Sequence, residues 1–280
     1  MASDKGRLLL RSLLSLLAGL LFQQMVVYAQ VRSVQDLWID LRLGPPLIPV
    51  FNDIAQEDDI ARIDHASQIV QLRGIPAGRK MVIFRSLTEA KQQLPDIASE
   101  IDIVGYNLEH NPSTPEQEQV DPVGSLRRMR ALVDEYGLEL AFGPDHDFAL
   151  SHGVEAAPFV DIFVLQIQRQ QTNPVVVEDF VAPLVPQLRQ ANPDLEVSVQ
   201  VRTEGNVGEI IDLLDSLKQD LDGVSILTSP DTIDVAEELV AGLRASPTLF
   251  SLDAKQPTTY VVLGLLALGL LATALIIHRR

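Results

Sequence analysis

Apolar runs of strand length alternate with longer amphipathic stretches through most of the 280 residues. Candidate strands are Leu47–Asn52, Met81–Arg85, Ile101–Tyr106, Leu138–Phe142, Asp161–Gln166, Glu196–Val201 and Val224–Thr228. Their β-branched content and near-continuous apolar character suit strands covered on both faces. Helices are expected between them. Glu57–Leu72 would place Ile60, Ile63, Ile69 and Val70 on one helical face. Asp121–Tyr136 opens on Asp-Pro and ends before Gly137, the usual start and stop signals. Val176–Gln190, Val207–Leu221 and Thr232–Arg244 have the same character, with Pro183 and Pro186 expected to bend the first.

Seven strand–helix units at this spacing predict an α/β fold of parallel strands. An eighth strand, from Leu37–Leu41 or Leu249–Leu252, would complete a (βα)8 TIM-barrel-like domain; without it the barrel is incomplete. An open doubly wound sheet is the competing topology, disfavoured because no glycine-rich first turn marks a nucleotide site. No internal sequence repeat stands out.

Both ends of the chain are apolar. Residues 8–22 follow a basic start (Lys5, Arg7), and Val27-Tyr28-Ala29 approximates a small-x-small cleavage site, so residues 1–29 are expected to be a signal peptide. Residues 260–277 carry no charge and precede His278-Arg279-Arg280. Eighteen residues at about 1.5 Å each span roughly 27 Å, enough for a thin hydrocarbon core. The flanking arginines predict residues 278–280 in the cytoplasm, a stalk over 246–259, and an extracytoplasmic domain over 30–245. The expected setting is a bacterial cell envelope, with the membrane as a partner through the C-terminal helix.

Between residues 30 and 259 lie 37 acidic and 17 basic side chains, a formal charge of −20. Such a surface repels nucleic acid and anionic headgroups, so nucleic acid is excluded as a partner. The chain has no cysteine, which rules out disulfides, thiolate metal sites and cysteine nucleophiles.

In parallel α/β folds the chemistry gathers at the carboxyl ends of the strands. Those ends supply Asn52 and Asp53, Arg85 and Ser86, Asn107, Glu109 and His110, and Asp145, His146 and Asp147. Later strands add Gln166, Gln168, Gln200, Arg202 and Glu204, then Thr228 and Ser229. The sharpest segment is Ile101–Pro112, IDIVGYNLEHNP, in which an apolar strand leads straight into Asn107 and Glu109 with side chains on the same side.

Here the chain resembles glycoside hydrolase family 18, the chitinase-like barrels, whose corresponding strand carries Asp-x-x-Asp-x-Asp-x-Glu. Asp102 and Glu109 match the first and last positions, Gly105 and Asn107 replace the inner aspartates, and Leu108 stands where an aromatic is common. The resemblance implies that Glu109 protonates a glycosidic oxygen while its neighbour positions a substrate acetamide. Asn107 could hydrogen-bond that acetamide without supplying charge. In a two-carboxylate mechanism the partner of Glu109 would be Asp145, Asp147 or Glu204.

The expected catalytic pair is therefore Glu109 and Asp145. Substrate contacts are expected from Asn107, Tyr106, Gln166, Gln168, Gln200, Arg202 and Glu204. Within Gly143–Asp147 a turn with Asp145 capping the next helix is preferred over a metal site, and no metal or cofactor is expected. The function expected is a membrane-anchored, glycosidase-like barrel acting on or binding cell-envelope carbohydrate. A non-catalytic interaction protein on the same scaffold is the alternative, favoured by one tryptophan and four tyrosines where sugar clefts use aromatic platforms.

Overall fold

Eight parallel strands close into a barrel in sequential order, in a computed structural model that describes residues 32–245. The strands are β1 (Trp38–Arg42), β2 (Ile60–Ile63), β3 (Arg79–Phe84), β4 (Ile103–Tyr106), β5 (Glu139–Phe142), β6 (Ile162–Gln166), β7 (Glu196–Arg202) and β8 (Gly223–Leu227). The expected signal peptide, stalk, membrane span and tail lie outside the described residues. Among the described residues no helix is long and apolar enough to cross a membrane.

Helices cover the barrel: α1 (Leu47–Ile54), α2 (Ile69–Leu72), α3 (Leu87–Ile97), α4 (Glu116–Val120), α5 (Pro122–Asp134), α6 (His146–Ala156), α7 (Pro174–Ala191), α8 (Val207–Leu217) and α9 (Ile233–Arg244). Five of them start on a side chain that accepts from their own first turn: Ser86, Asp121, Asp145, Asn173 and Asn206. The larger core lies between sheet and helices, where Leu41, Ile63, Phe84, Val104, Phe142 and Phe163 meet Leu94, Met129, Leu188, Leu214 and Leu239.

Two expected elements differ. Leu47–Asn52 is not a strand but most of α1. Leu47 and Phe51 stand one turn apart and are fully buried, and Pro49 falls in the first turn, where its missing N–H costs nothing. Glu57–Leu72 is not one helix but β2 followed by a 3-10 turn and the four-residue α2. The eighth strand is the Leu37–Leu41 option, present as β1, so the barrel is complete.

The strand bottoms repeat fourfold. Asp59, Asp102, Asp161 and Asp222 stand immediately before the even strands. Each carboxylate accepts the N–H of a residue near the start of the preceding odd strand: Ile39, Lys80, Leu140 and Val197, at 2.7–2.8 Å. Each carbonyl accepts the N–H that opens the next odd strand: Arg79, Glu139, Glu196 and Trp38. Those four residues form the barrel floor. Arg79 Nη1 bonds Glu139 Oε2 at 3.1 Å, its Nη2 bonds Glu196 Oε2 at 2.9 Å, and the guanidinium lies 5.7 Å from the Trp38 ring centre. Gly223 leaves room for the Trp38 indole, which a Cβ there would strike.

Above the floor the interior divides in two. Ile60, Met81, Ile103, Ala141, Ile162 and Val164 form an apolar cluster with Trp38. The β8–β1–β2 side is polar instead. Arg62 Nε donates to both oxygens of Asp40, at 2.8 and 2.9 Å, and Ser225 Oγ donates to Asp40 Oδ2 at 2.7 Å.

Candidate active site at the barrel mouth

A cavity of about 220 Å³ opens at the carboxyl ends of the strands. Its apolar wall is Met81, Ile83, Val164 and Leu227, and Gly105, lacking a side chain, leaves space in which Ile83 packs. Its deepest polar groups are Asp40 and Arg62, both buried. Burial pushes the Asp40 carboxyl above its ordinary value, against the pull of Arg62 and of the hydrogen bonds from Ser225 and Arg62. Asp64 sits above them, paired with Arg42 at 2.6 Å and with Arg62 at 3.6 Å.

Glu109 is the centre of the rim. Asn107 Nδ2 donates to its Oε1 at 2.8 Å, Gln166 Nε2 to the same oxygen at 3.0 Å, and Asn111 Nδ2 to Oε2 at 2.7 Å. Both carboxylate oxygens thus accept from neutral amides. Gln166 Nε2 also faces Gly143 O at 3.0 Å and Asn107 Oδ1 at 3.3 Å, and Gln168 Nε2 donates to Gln166 Oε1 at 2.9 Å. Gln200 and Arg202, which point inward from β7, complete this side.

The structure therefore gathers Glu109, Asn107, Gln166, Gln168, Gln200 and Arg202 around one cavity. Glu204 is exposed and is not part of the lining. Tyr106 borders the cavity but offers it no open ring face. Its ring is 1% exposed on the helix-facing side of β4, and its hydroxyl donates to the buried Glu118 at 2.5 Å. Burial and the Glu118 carboxylate raise the Tyr106 pKa well above the ordinary tyrosine value.

Asp145 has a structural task. It caps α6 by accepting from Phe148 N at 3.0 Å and clamps His110 through the backbone N–H (2.6 Å) and Nδ1 (2.8 Å). The His110 ring stacks on Phe148 with centroids 3.7 Å apart. Burial opposes ionisation of Asp145, but the bonds from His110 and Phe148 prevail and hold its pKa below the ordinary value. Asp145 lines a neighbouring pocket of about 310 Å³, which shares Glu109, Gln166 and Gln168 with the first.

Sequence reasoning missed Asp40, Arg62, Asp64, Asn111 and Arg169 as neighbours of this site. The usable signal lay on β1 and β2, where period-two parity turns Asp40 and Arg62 inward once those strands are recognised.

No family model matches the chain, and no curated protein matches it in sequence. Solved structures do resemble it. The ligand-free tryptophan synthase of M. tuberculosis aligns with a TM-score of 0.50 at 12% identity, covering 78% of this chain and 98% of that one. A glycoside hydrolase family 17 β-1,3-glucanosyltransferase from Rhizomucor miehei aligns at 0.49 and 12%, covering 70% and 88%. The 3-keto-L-gulonate-6-phosphate decarboxylase of Vibrio cholerae aligns at 0.47 and 12%, covering 74% and 99%. At such identities the likeness concerns the fold alone, a TIM barrel shared by enzymes of unrelated chemistry. The resemblance to glycoside hydrolase family 18 rests only on the β4 residues.

Proposed function

We propose that the barrel mouth binds carbohydrate, with Glu109 as the central acceptor. The observation that carries this reading is the carboxylate held by three amides above an apolar wall. Carboxylates and amides together offer the acceptors and donors that vicinal hydroxyls require, and the wall suits the C–H face of a sugar ring. Anchoring by residues 260–277, with the barrel in the cell envelope, belongs to the same proposal and is supported by the charge-free run before Arg279 and Arg280.

A glycan array probed with the full chain and with Glu109→Gln tests it. Binding by the parent that the variant loses, with the circular dichroism spectrum unchanged, is the expected result. A parent that binds no glycan overturns the proposal.

A hydrolytic version has one contact in its favour. Asp145 holds His110 through Nδ1, which leaves Nε2 for proton transfer, and His110 and Glu109 line the same neighbouring pocket. Of the expected partners in the two-carboxylate version, Asp145 is engaged in its helix cap and Glu204 is not part of the cavity lining, while Asp147 lines the pocket that it shares with Glu109.

A further inference from the structure

Thirteen arginines fall between residues 32 and 245. Among the described residues nine are ion-paired with carboxylates. A tenth, Arg127, has its guanidinium 4.7 Å from the Phe159 ring centre. The remaining three, Arg85, Arg169 and Arg202, all line the mouth cavity.

That concentration is unexpected for this chain, which has 38 acidic and 22 basic side chains. A guanidinium without a carboxylate is the exception here, yet the exceptions share one cavity. The acids of that cavity are already engaged. Asp40 is bound to Arg62, Asp64 to Arg42 and Arg62, and Glu109 to its amides. Arg85 continues the inward parity of Met81 and Ile83 on β3, and Arg202 that of Ser198 and Gln200 on β7, while Arg169 follows β6. The lining thus sets four guanidiniums against three carboxylates, a locally positive balance on a protein that is acidic as a whole.

We infer that the ligand of the mouth carries an anionic group, a carboxylate or a phosphate, held by Arg202 and Arg169 with Arg85 facing them across the barrel. Planar guanidinium forks match both groups and bind them with charge-assisted hydrogen bonds. A neutral sugar would displace water from these arginines and return no equivalent bond. Resting on the carbohydrate reading, this inference makes the ligand a uronic acid or a sugar phosphate rather than a neutral sugar.

Calorimetric titration of the full chain with glucose, glucuronate, glucose 6-phosphate and inorganic phosphate tests the inference. A charged sugar should bind at least about tenfold more tightly than glucose, as one charge-assisted contact implies. Arg202→Gln should erase that margin, bringing the charged sugar down to the affinity of glucose for the same variant. Which charged sugar gains identifies carboxylate or phosphate as the group. Glucose bound through Glu109, with no gain for its charged partners, overturns the inference and keeps the carbohydrate reading. Inorganic phosphate bound through Arg202 while no sugar binds keeps the arginine site and rejects the carbohydrate reading. A margin that survives both Arg202→Gln and Arg169→Gln removes the arginines from the site, and silence with every probe overturns both statements.

Discussion

Gln166 Nε2 lies 3.0 Å from Glu109 Oε1, although 57 positions separate the two residues. They belong to β6 and to the end of β4, so the contact passes over β5, where Gly143 replaces a side chain with open space. A Cβ at Gly143 would approach Asn107 Oδ1 to 3.3 Å. The same Gln166 nitrogen also rests on the Gly143 carbonyl, which makes it the tie that joins three adjacent strand ends.

Gln166→Leu keeps the volume and removes that tie. Glu109 then loses one of its three donors, and ligand affinity should fall by about 10- to 100-fold, the worth of a hydrogen bond to a charged group. The melting temperature should change little, because Gln166 is half-buried at the rim. Titration with a ligand from the glycan array measures the loss; unchanged affinity would remove Gln166 from the site.

The four aspartates that precede the even strands differ in burial and in partners, and their alanine variants should follow that order. Asp59 is fully buried and serves Ile39 N, Gln56 N and Arg244, so its loss should cost about 3–5 kcal/mol. Asp222 is one-fifth exposed and should come next; Asp161 and Asp102 are both exposed, and Asp161, paired with Arg130, should come third, leaving Asp102 last at about 1 kcal/mol. Urea unfolding of the four variants gives the ranking. Equal costs would mean that the strand-start bond, rather than burial, sets the energy.

Asp145 links stability to pH. Its pKa is lower in the fold than the ordinary value, so its contribution is fully present above about pH 4 and disappears as pH falls through the depressed value. Asp145→Ala should cost about 1–2 kcal/mol at neutral pH, the worth of a helix cap. The gap between parent and variant should shrink in strongly acidic buffer. A gap independent of pH would show that the carboxylate charge contributes nothing.

Much of the barrel was legible because β3 to β6 are largely apolar on both faces, which announces parallel strands, and because β7 and β8 keep an unbroken apolar face toward the helices (Val197, Val199, Val201, Val224 and Ile226). β2 was hidden by its own role. Arg62 points into the barrel and is neutralised by Asp40, so the apolar run breaks where the strand is most enclosed, and the spacing of Ile60 and Ile63 imitates a helix. α1 was hidden for the opposite reason: a six-residue apolar run suits a buried strand and a buried helix equally. Glu109 and its glutamines were visible as polar residues at strand ends. Their joining was not, since it depends on a glycine in the strand between. Tyr106 shows the limit of position along a strand: one step of parity separates the cavity from the helix layer. The fourfold repeat escaped notice because its signature is a single aspartate before each even strand.

Arg79, clasped between Glu139 and Glu196 under Trp38, closes the end of the barrel opposite the mouth. The cavity is therefore a blind well, and whatever enters must leave by the way it came. A polymer cannot thread through such a well; it can offer only a chain end or a protruding branch. Length beyond that end would lie outside the well, across the outer loops. The well thus admits a terminus and not a passing chain.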